Sequence, residues 1–122
     1  MLYIDNELWL GTMKGLNHYN ETTNSFNRFV KSSPSENKIL NLLPEKKDKI
    51  WVVNDSNGID LFDTKSKVFE EKFTNIGFPL KVTEQDNQGN LYGYIIKKGI
   101  FKFNTLTETF DIYGKEYNLP LS

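Results

Sequence analysis

The stretch Leu8-Trp9-Leu10-Gly11-Thr12-Met13-Lys14-Gly15-Leu16-Asn17-His18-Tyr19-Asn20 decides the fold, because most of it returns twice. Gly15-Leu16 comes back as Gly58-Ile59 and Gly99-Ile100, at intervals of 43 and 41 residues. Four residues after each Gly stands an aromatic, Tyr19, Phe62 or Phe103, followed at once by Asn20, Asp63 or Asn104. Thr23, Ser66 or Thr107 comes three residues later, and Phe26, Phe69 or Phe110 three after that. Upstream, the aromatic of Leu8-Trp9, Ile50-Trp51 and Leu91-Tyr92 precedes the Gly by 6, 7 and 7 residues. Self-similarity at a period of roughly 40 residues marks a repeat architecture in which each copy is one supersecondary unit.

Each copy reads as four short strands. In the second copy they are expected over 39–43, 50–53, 59–62 and 68–73, with turns at 44–48, 54–57 and 63–67. β-branched and aromatic residues fill the runs, as strands prefer. The Asn or Asp after the aromatic can bond its own backbone two residues on, and Gly accepts positive φ, so the turns have a mechanism. No stretch sustains a 3.6-residue apolar period, so no helix is expected. The second strand is apolar on both faces (Leu8-Trp9-Leu10, Ile50-Trp51-Val52-Val53, Tyr92-Gly93-Tyr94-Ile95-Ile96), as in a sheet covered on both sides. The fourth is sparser, as an outer edge should be. Small four-stranded sheets at this period are blades of a β-propeller. The expected fold is therefore all-β: three four-stranded antiparallel blades, 1–38, 39–79 and 80–122, forming an incomplete ring and ending in the start of a linker to a next blade.

Composition narrows the function. The chain has 122 residues, 15 Lys plus Arg against 16 Asp plus Glu, one His and no Cys. Near-neutral charge removes the cationic surface that supplies affinity for a phosphate backbone, so nucleic acid is excluded as a partner. Absent thiols exclude disulfides and thiolate metal sites, and a single His18 excludes a His-based metal cluster. No apolar run reaches the roughly 18 residues of a membrane span. Met1 leads directly into Leu2-Tyr3-Ile4-Asp5 without a basic region and apolar stretch, so no signal peptide is expected in this segment.

The first copy resembles the two-component regulator propeller repeat, L-W-[IVL]-G-T-x-x-G-[LI]-x-x-[YF]-[DN] with a Phe behind it, at nearly every position. The second copy has Val53-Asn54 in place of Gly-Thr, and the third has Tyr92 for Trp and Tyr94 for Thr. Residues 117–120, Tyr-Asn-Leu-Pro, resemble the linker into a following blade. The resemblance implies the periplasmic sensor region of Bacteroides-type hybrid histidine kinases, which respond to oligosaccharides or related nutrients. It also implies a non-catalytic protein without cofactors.

Three blades pose a physical problem, since closed propellers have at least four. A Trp or Phe left in water forgoes roughly 2–3 kcal/mol of burial free energy, against about 5–15 kcal/mol for a whole domain. Either other blades of a longer polypeptide cover the two end faces, or copies of the chain close a ring as a homo-oligomer. The abrupt start at a first strand favours the former.

Trp9, Trp51 and Tyr92 are flat enough to stack on sugars, but their recurrence at one blade position assigns them to packing, together with the other repeat residues Gly15, Tyr19, Gly58, Phe62, Gly99 and Phe103. His18 is expected at a solvent-facing or edge position. The oxygen-rich stretches 55–60 and 86–90 lack the downstream bidentate Glu of a calcium loop and fall where turns are needed. Ligands usually bind where the loops between second and third strands gather. That places Thr12, Met13 and Lys14, then Asn54, Asp55, Ser56 and Asn57, then Lys97 and Lys98, as candidate contacts to a saccharide, beside the blade connections 32–37 and 74–78. An interaction scaffold is the alternative. A polysaccharide hydrolase or lyase would need convergent acid and base groups, and no spacing pairs Asp55, Asp60 or Glu84.

Overall fold

A computed structural model describes residues 1–32, 37–46, 48–54, 58–74 and 80–114. The chain divides into two compact units, Met1–Thr74 and Asn75–Ser122. Unit one holds two four-stranded sheets. The first comprises β1 (Leu2–Ile4), β2 (Glu7–Thr12), β3 (Gly15–Asn20) and β4 (Ser25–Phe29). The second comprises β5 (Ile39–Pro44), β6 (Lys49–Asn54), β7 (Gly58–Asp63) and β8 (Val68–Thr74). Unit two holds the third sheet, β9 (Leu80–Gln85), β10 (Leu91–Ile95), β11 (Gly99–Asn104) and β12 (Thr109–Gly114). Each sheet is an antiparallel meander in sequence order, and none closes on itself. Each is a four-stranded blade of the propeller type, and the strands of the second lie within a residue of the spans read from sequence. No helix among the described residues is long and apolar enough to cross a membrane.

The turns show why the repeat keeps its polar columns. Asn20 Oδ1 accepts the amides of Thr22 and Thr23, at 3.0 and 3.2 Å. Asp63 Oδ1 does the same for Lys65 and Ser66, at 2.8 and 3.1 Å, and Asn104 Oδ1 for Leu106 and Thr107, at 3.0 and 3.1 Å. Each turn then passes through one left-handed residue, Asn24, Lys67 or Glu108, with φ of 52°, 62° and 58°. The β1–β2 hairpin turns on Asp5-Asn6, both at positive φ (50° and 62°), the two-residue turn whose twist suits antiparallel strands.

Trp9, Leu16, Ile39, Leu42, Ile50, Val52 and Phe62 form one core between the first two sheets, with Leu2, Ile4, Phe29 and Phe69 packed around it. Trp9 is fully buried, its ring 5.6 Å from that of Phe62 in an edge-on contact. Gly11 sits where a β-carbon would come within 2.4 Å of Ile39 Cγ2, so the sheets approach too closely there for a side chain. Ile39 pairs with Asn54 and Asn41 with Val53, leaving Leu40 as an extra, exposed residue of a bulge. β6 is buried on both faces, Ile50 and Val52 toward the first sheet and Trp51 and Val53 on the other. That is the physical meaning of its unbroken apolar run.

One residue departs from expectation. His18 does not face solvent: it pairs with Trp9 across β2 and β3 and therefore shares the face turned to the second sheet. Its ring lies 4.5 Å from the Trp9 ring, and its side chain is 17% exposed. Nε2 stands 3.4 Å from Glu7 Oε1, an ion-pair distance without hydrogen-bond alignment.

In unit two, Leu80, Val82, Leu91, Ile95, Phe101 and Phe103 are buried on one face of the sheet. Tyr92, Tyr94, Ile100, Lys102 and Tyr113 occupy the other by alternation. Thr83 is the extra residue of a bulge opposite Gly93.

Candidate functional site

The ends of β2 and β6 lie at one edge of unit one, because Ile39 pairs with Asn54 and packs over Gly11. Thr12, Met13, Lys14 and Asn54 therefore share an edge. Their chemistry differs. Thr12 Oγ1 donates to Gly15 O at 3.1 Å and accepts from Lys14 N at 3.1 Å, so this hydroxyl closes the β2–β3 turn. Met13 and Lys14 project from the turn, Met13 being 62% exposed. Asn54 is buried; its Nδ2 donates to Asp60 Oδ2 at 3.0 Å and its Oδ1 accepts Gly58 N at 3.3 Å. Its amide is thus taken up within the blade. Asp55, Ser56 and Asn57 lie outside the described residues, as does most of the connections 32–37 and 74–78. Lys97 and Lys98 occupy the β10–β11 turn of unit two, Lys97 exposed at φ 70° and Lys98 half-buried with its amide on Ile95 O at 3.0 Å.

Beside Asn54 stands a polar cluster that sequence spacing did not indicate. Lys31 Nζ lies 3.1 Å from both Asp60 oxygens, on a carboxylate side chain that is 1% exposed. Asn37 clamps the backbone of Lys31, accepting its N–H at 2.6 Å and donating to its carbonyl at 2.8 Å. Burial pushes the Asp60 carboxyl above its ordinary range, with Glu71 adding to the rise, although Lys31 and Asn54 oppose it. The signal was present in Ile59-Asp60-Leu61-Phe62, one carboxylate inside an apolar strand, since a buried charge demands a partner. Lys31, 29 residues away in the chain, is brought to it only by the packing of the two blades. Asp60 is enclosed and paired, whereas Glu84 is exposed on β9 opposite Tyr92, in the other unit.

On the outer face of the first sheet a groove of about 530 Å³ runs over Leu10 and Phe26, bounded by Thr12, Met13, Lys14, Asn17 and Arg28. Tyr3 and Phe26 on this sheet are 64% and 51% exposed. Tyr19, at the column filled by buried Phe62 and Phe103, is half-buried and donates its hydroxyl to Asn24 Oδ1 at 2.6 Å. On the third sheet Tyr92, at the column of Trp9 and Trp51, donates to Asp86 Oδ2 at 2.9 Å. Asp86 also accepts from Gln88 N and from both nitrogens of Asn90, which identifies the 86–90 stretch as a closed turn.

No family model matches the chain, and no curated protein does. Solved structures do. The extracellular domain of the putative one component system BT4673 from Bacteroides thetaiotaomicron superposes with a TM-score of 0.77 at 18% identity, over 98% of this chain and 18% of that one. A second structure of it, described as a putative hybrid two component system, gives 0.71 at 18% identity, over 93% of this chain and 18% of that one. The extracellular domain of the putative hybrid two component system BT3049 from the same organism gives 0.68 at 22% identity, over 88% and 15%. The chain thus spans less than a fifth of these molecules, and over nearly its whole length its fold is similar to part of the extracellular domains of Bacteroides two-component systems.

Proposed function

We propose that the chain is a non-catalytic, ligand-sensing propeller segment of a two-component regulatory system, positioned outside the cytoplasmic membrane. The observation that supports this most is the similarity over 98% of the chain to an extracellular domain of such a system. In this reading the ligand is an oligosaccharide, held at the loops that carry Thr12, Met13, Lys14, Asn54, Asp55, Ser56, Asn57, Lys97 and Lys98. The exposed Lys14 and Lys97 support it, because ammonium groups suit hydrogen bonding to sugar hydroxyls and to sulfated or carboxylated units. Binding would pass to a kinase as a change of blade geometry, without bond making. The buried and paired state of Asp60 supports a non-catalytic assignment, since a general acid must reach its substrate.

The test is chemical-shift mapping of the 122-residue chain against neutral and acidic oligosaccharides. Sensing predicts saturable shifts at Thr12–Lys14 or Lys97–Lys98 for one sugar class. Silence across the panel favours the scaffold reading, which the exposed Tyr3, Met13 and Phe26 support. Release of reducing ends from a labelled polysaccharide would restore the enzyme reading.

A further inference from the structure

The hairpin between second and third strands repeats in every blade, and two of its columns change chemistry from blade to blade. One column is the residue opposite the repeat Gly, the other the residue two beyond that Gly. The pairs are Thr12 with Asn17, Asn54 with Asp60, and Ile95 with Phe101. In the first blade the pair is neutral and bonded to itself, Asn17 Nδ2 lying 3.4 Å from Thr12 Oγ1 and 3.2 Å from Gly15 O. In the third it is apolar. In the second it carries a charge, answered from outside the sheet by Lys31, which follows β4 of the first blade.

That answer has a direction. An ionised carboxylate only accepts hydrogen bonds, so Asp60 Oδ2 takes the Nδ2 side of Asn54 at 3.0 Å. The Oδ1 of the same amide is thereby left to accept Gly58 N at 3.3 Å. The Asp60 side chain is 1% exposed and stands opposite Glu71 on β8. Without a cation it would become a neutral carboxyl, a donor as well as an acceptor. We infer that Lys31 is a positioning residue for the β6–β7 hairpin: by keeping Asp60 a pure acceptor it orients the Asn54 amide, which holds the Gly58 end of the hairpin. Asn37 grips the backbone of Lys31 through its N–H at 2.6 Å and its carbonyl at 2.8 Å, so a clamped blade connection presents the cation. The use of this device rests on the sensing reading, in which the hairpin contacts the ligand. A ligand that reshapes the hairpin then works against the Lys31–Asp60 pair and is felt at the connection between the blades. Movement of the connection is felt at the hairpin by the same coupling free energy.

Amide exchange followed by NMR on the 122-residue chain, with no sugar present, tests the inference apart from ligand binding. Lys31→Met/Asp60→Leu removes both charges together, and Lys31→Gln removes the cation alone. In each, the Gly58 amide should exchange at least about fivefold faster than in wild type, while the matching amides of Gly15 and Gly99 stay within about twofold. Asn54→Ala removes the acceptor outright, and adding it to the double variant should speed Gly58 by no more than about twofold further. Gly58 exchange that stays at the wild-type rate in these variants overturns the inference. So does an equal rise at Gly15, which is general loosening of the two sheets. Full additivity of Asn54→Ala overturns it too, because Lys31 would then reach Gly58 by another route.

Discussion

Gly93 and Gly11 both mark close approaches, but the atoms they approach differ in how far they can yield. A β-carbon on Gly93 would lie 1.8 Å from Lys81 O and 2.9 Å from Phe101 Cε1, so the bulged β9 backbone itself would have to move. A β-carbon on Gly11 meets side-chain atoms, the branch methyl and Cβ of Ile39 at 2.4 and 3.1 Å, rather than backbone. Gly93→Ala is expected to cost roughly 3 kcal/mol and Gly11→Ala about 1–2 kcal/mol in urea denaturation. Equal losses would mean that the approach in β9 is not rigid. Lys31 gives a second case. Lys31→Met strands a buried carboxylate and is expected to cost about 2–4 kcal/mol, most of it recovered in Lys31→Met/Asp60→Leu, because both charges then go together.

At the level of the turn, three side chains perform one task with two chemistries. Asn20 and Asn104 make the same pair of bonds as Asp63, so Asp63→Asn should leave neutral-pH stability nearly unchanged. The amides of Ser66 and Lys65 hold the Asp63 carboxyl below its ordinary range. Asp86 is pushed up by desolvation, yet the bonds from Tyr92, Asn90 and Gln88 bring it lower overall. For both, the folded value lies under the unfolded one, so their stabilisation is present above the ordinary carboxylate range and is lost as pH falls through the depressed value. Asp60 has the opposite sign: its folded value is raised, and its contribution weakens as pH climbs from the ordinary value through the raised one. Urea midpoints followed from neutral into acid should therefore fall less steeply for Asp63→Asn than for wild type. An unchanged acid limb would show that this turn does not titrate. Glu108 occupies a left-handed position with φ 58°, and Glu108→Gly should raise stability by about 0.5–1 kcal/mol.

For unit one as a whole, the core belongs to neither blade. Trp9 of β2 packs on Phe62 of β7, and Gly11 of β2 admits Ile39 of β5. Trp9→Ala is expected to cost about 3–5 kcal/mol and to expose both sheets together. Hydrogen exchange checks this: amides of β6 should lose protection along with those of β2. Protection retained in β6 would make the second sheet independently stable.

Much of this was legible in the residues themselves. The columns Gly15/Gly58/Gly99, Tyr19/Phe62/Phe103 and Asn20/Asp63/Asn104 encode local events, a hairpin, an aromatic strand position and a side chain capping its own turn, and local events are written in local spacing. The apolar run Ile50-Trp51-Val52-Val53 likewise stated that its sheet is covered twice. What the spacing could not state is which distant group meets which. Lys31 with Asp60, His18 on Trp9, and Asn54 spent on Asp60 rather than left for a ligand depend on two sheets being laid face to face. The sequence by itself determined the blades and their turns, because backbone geometry and alternation act over a few residues. Tertiary structure alone decided the charge carried by each face and the partners of the buried polar groups, because those follow from contacts between strands far apart in the chain.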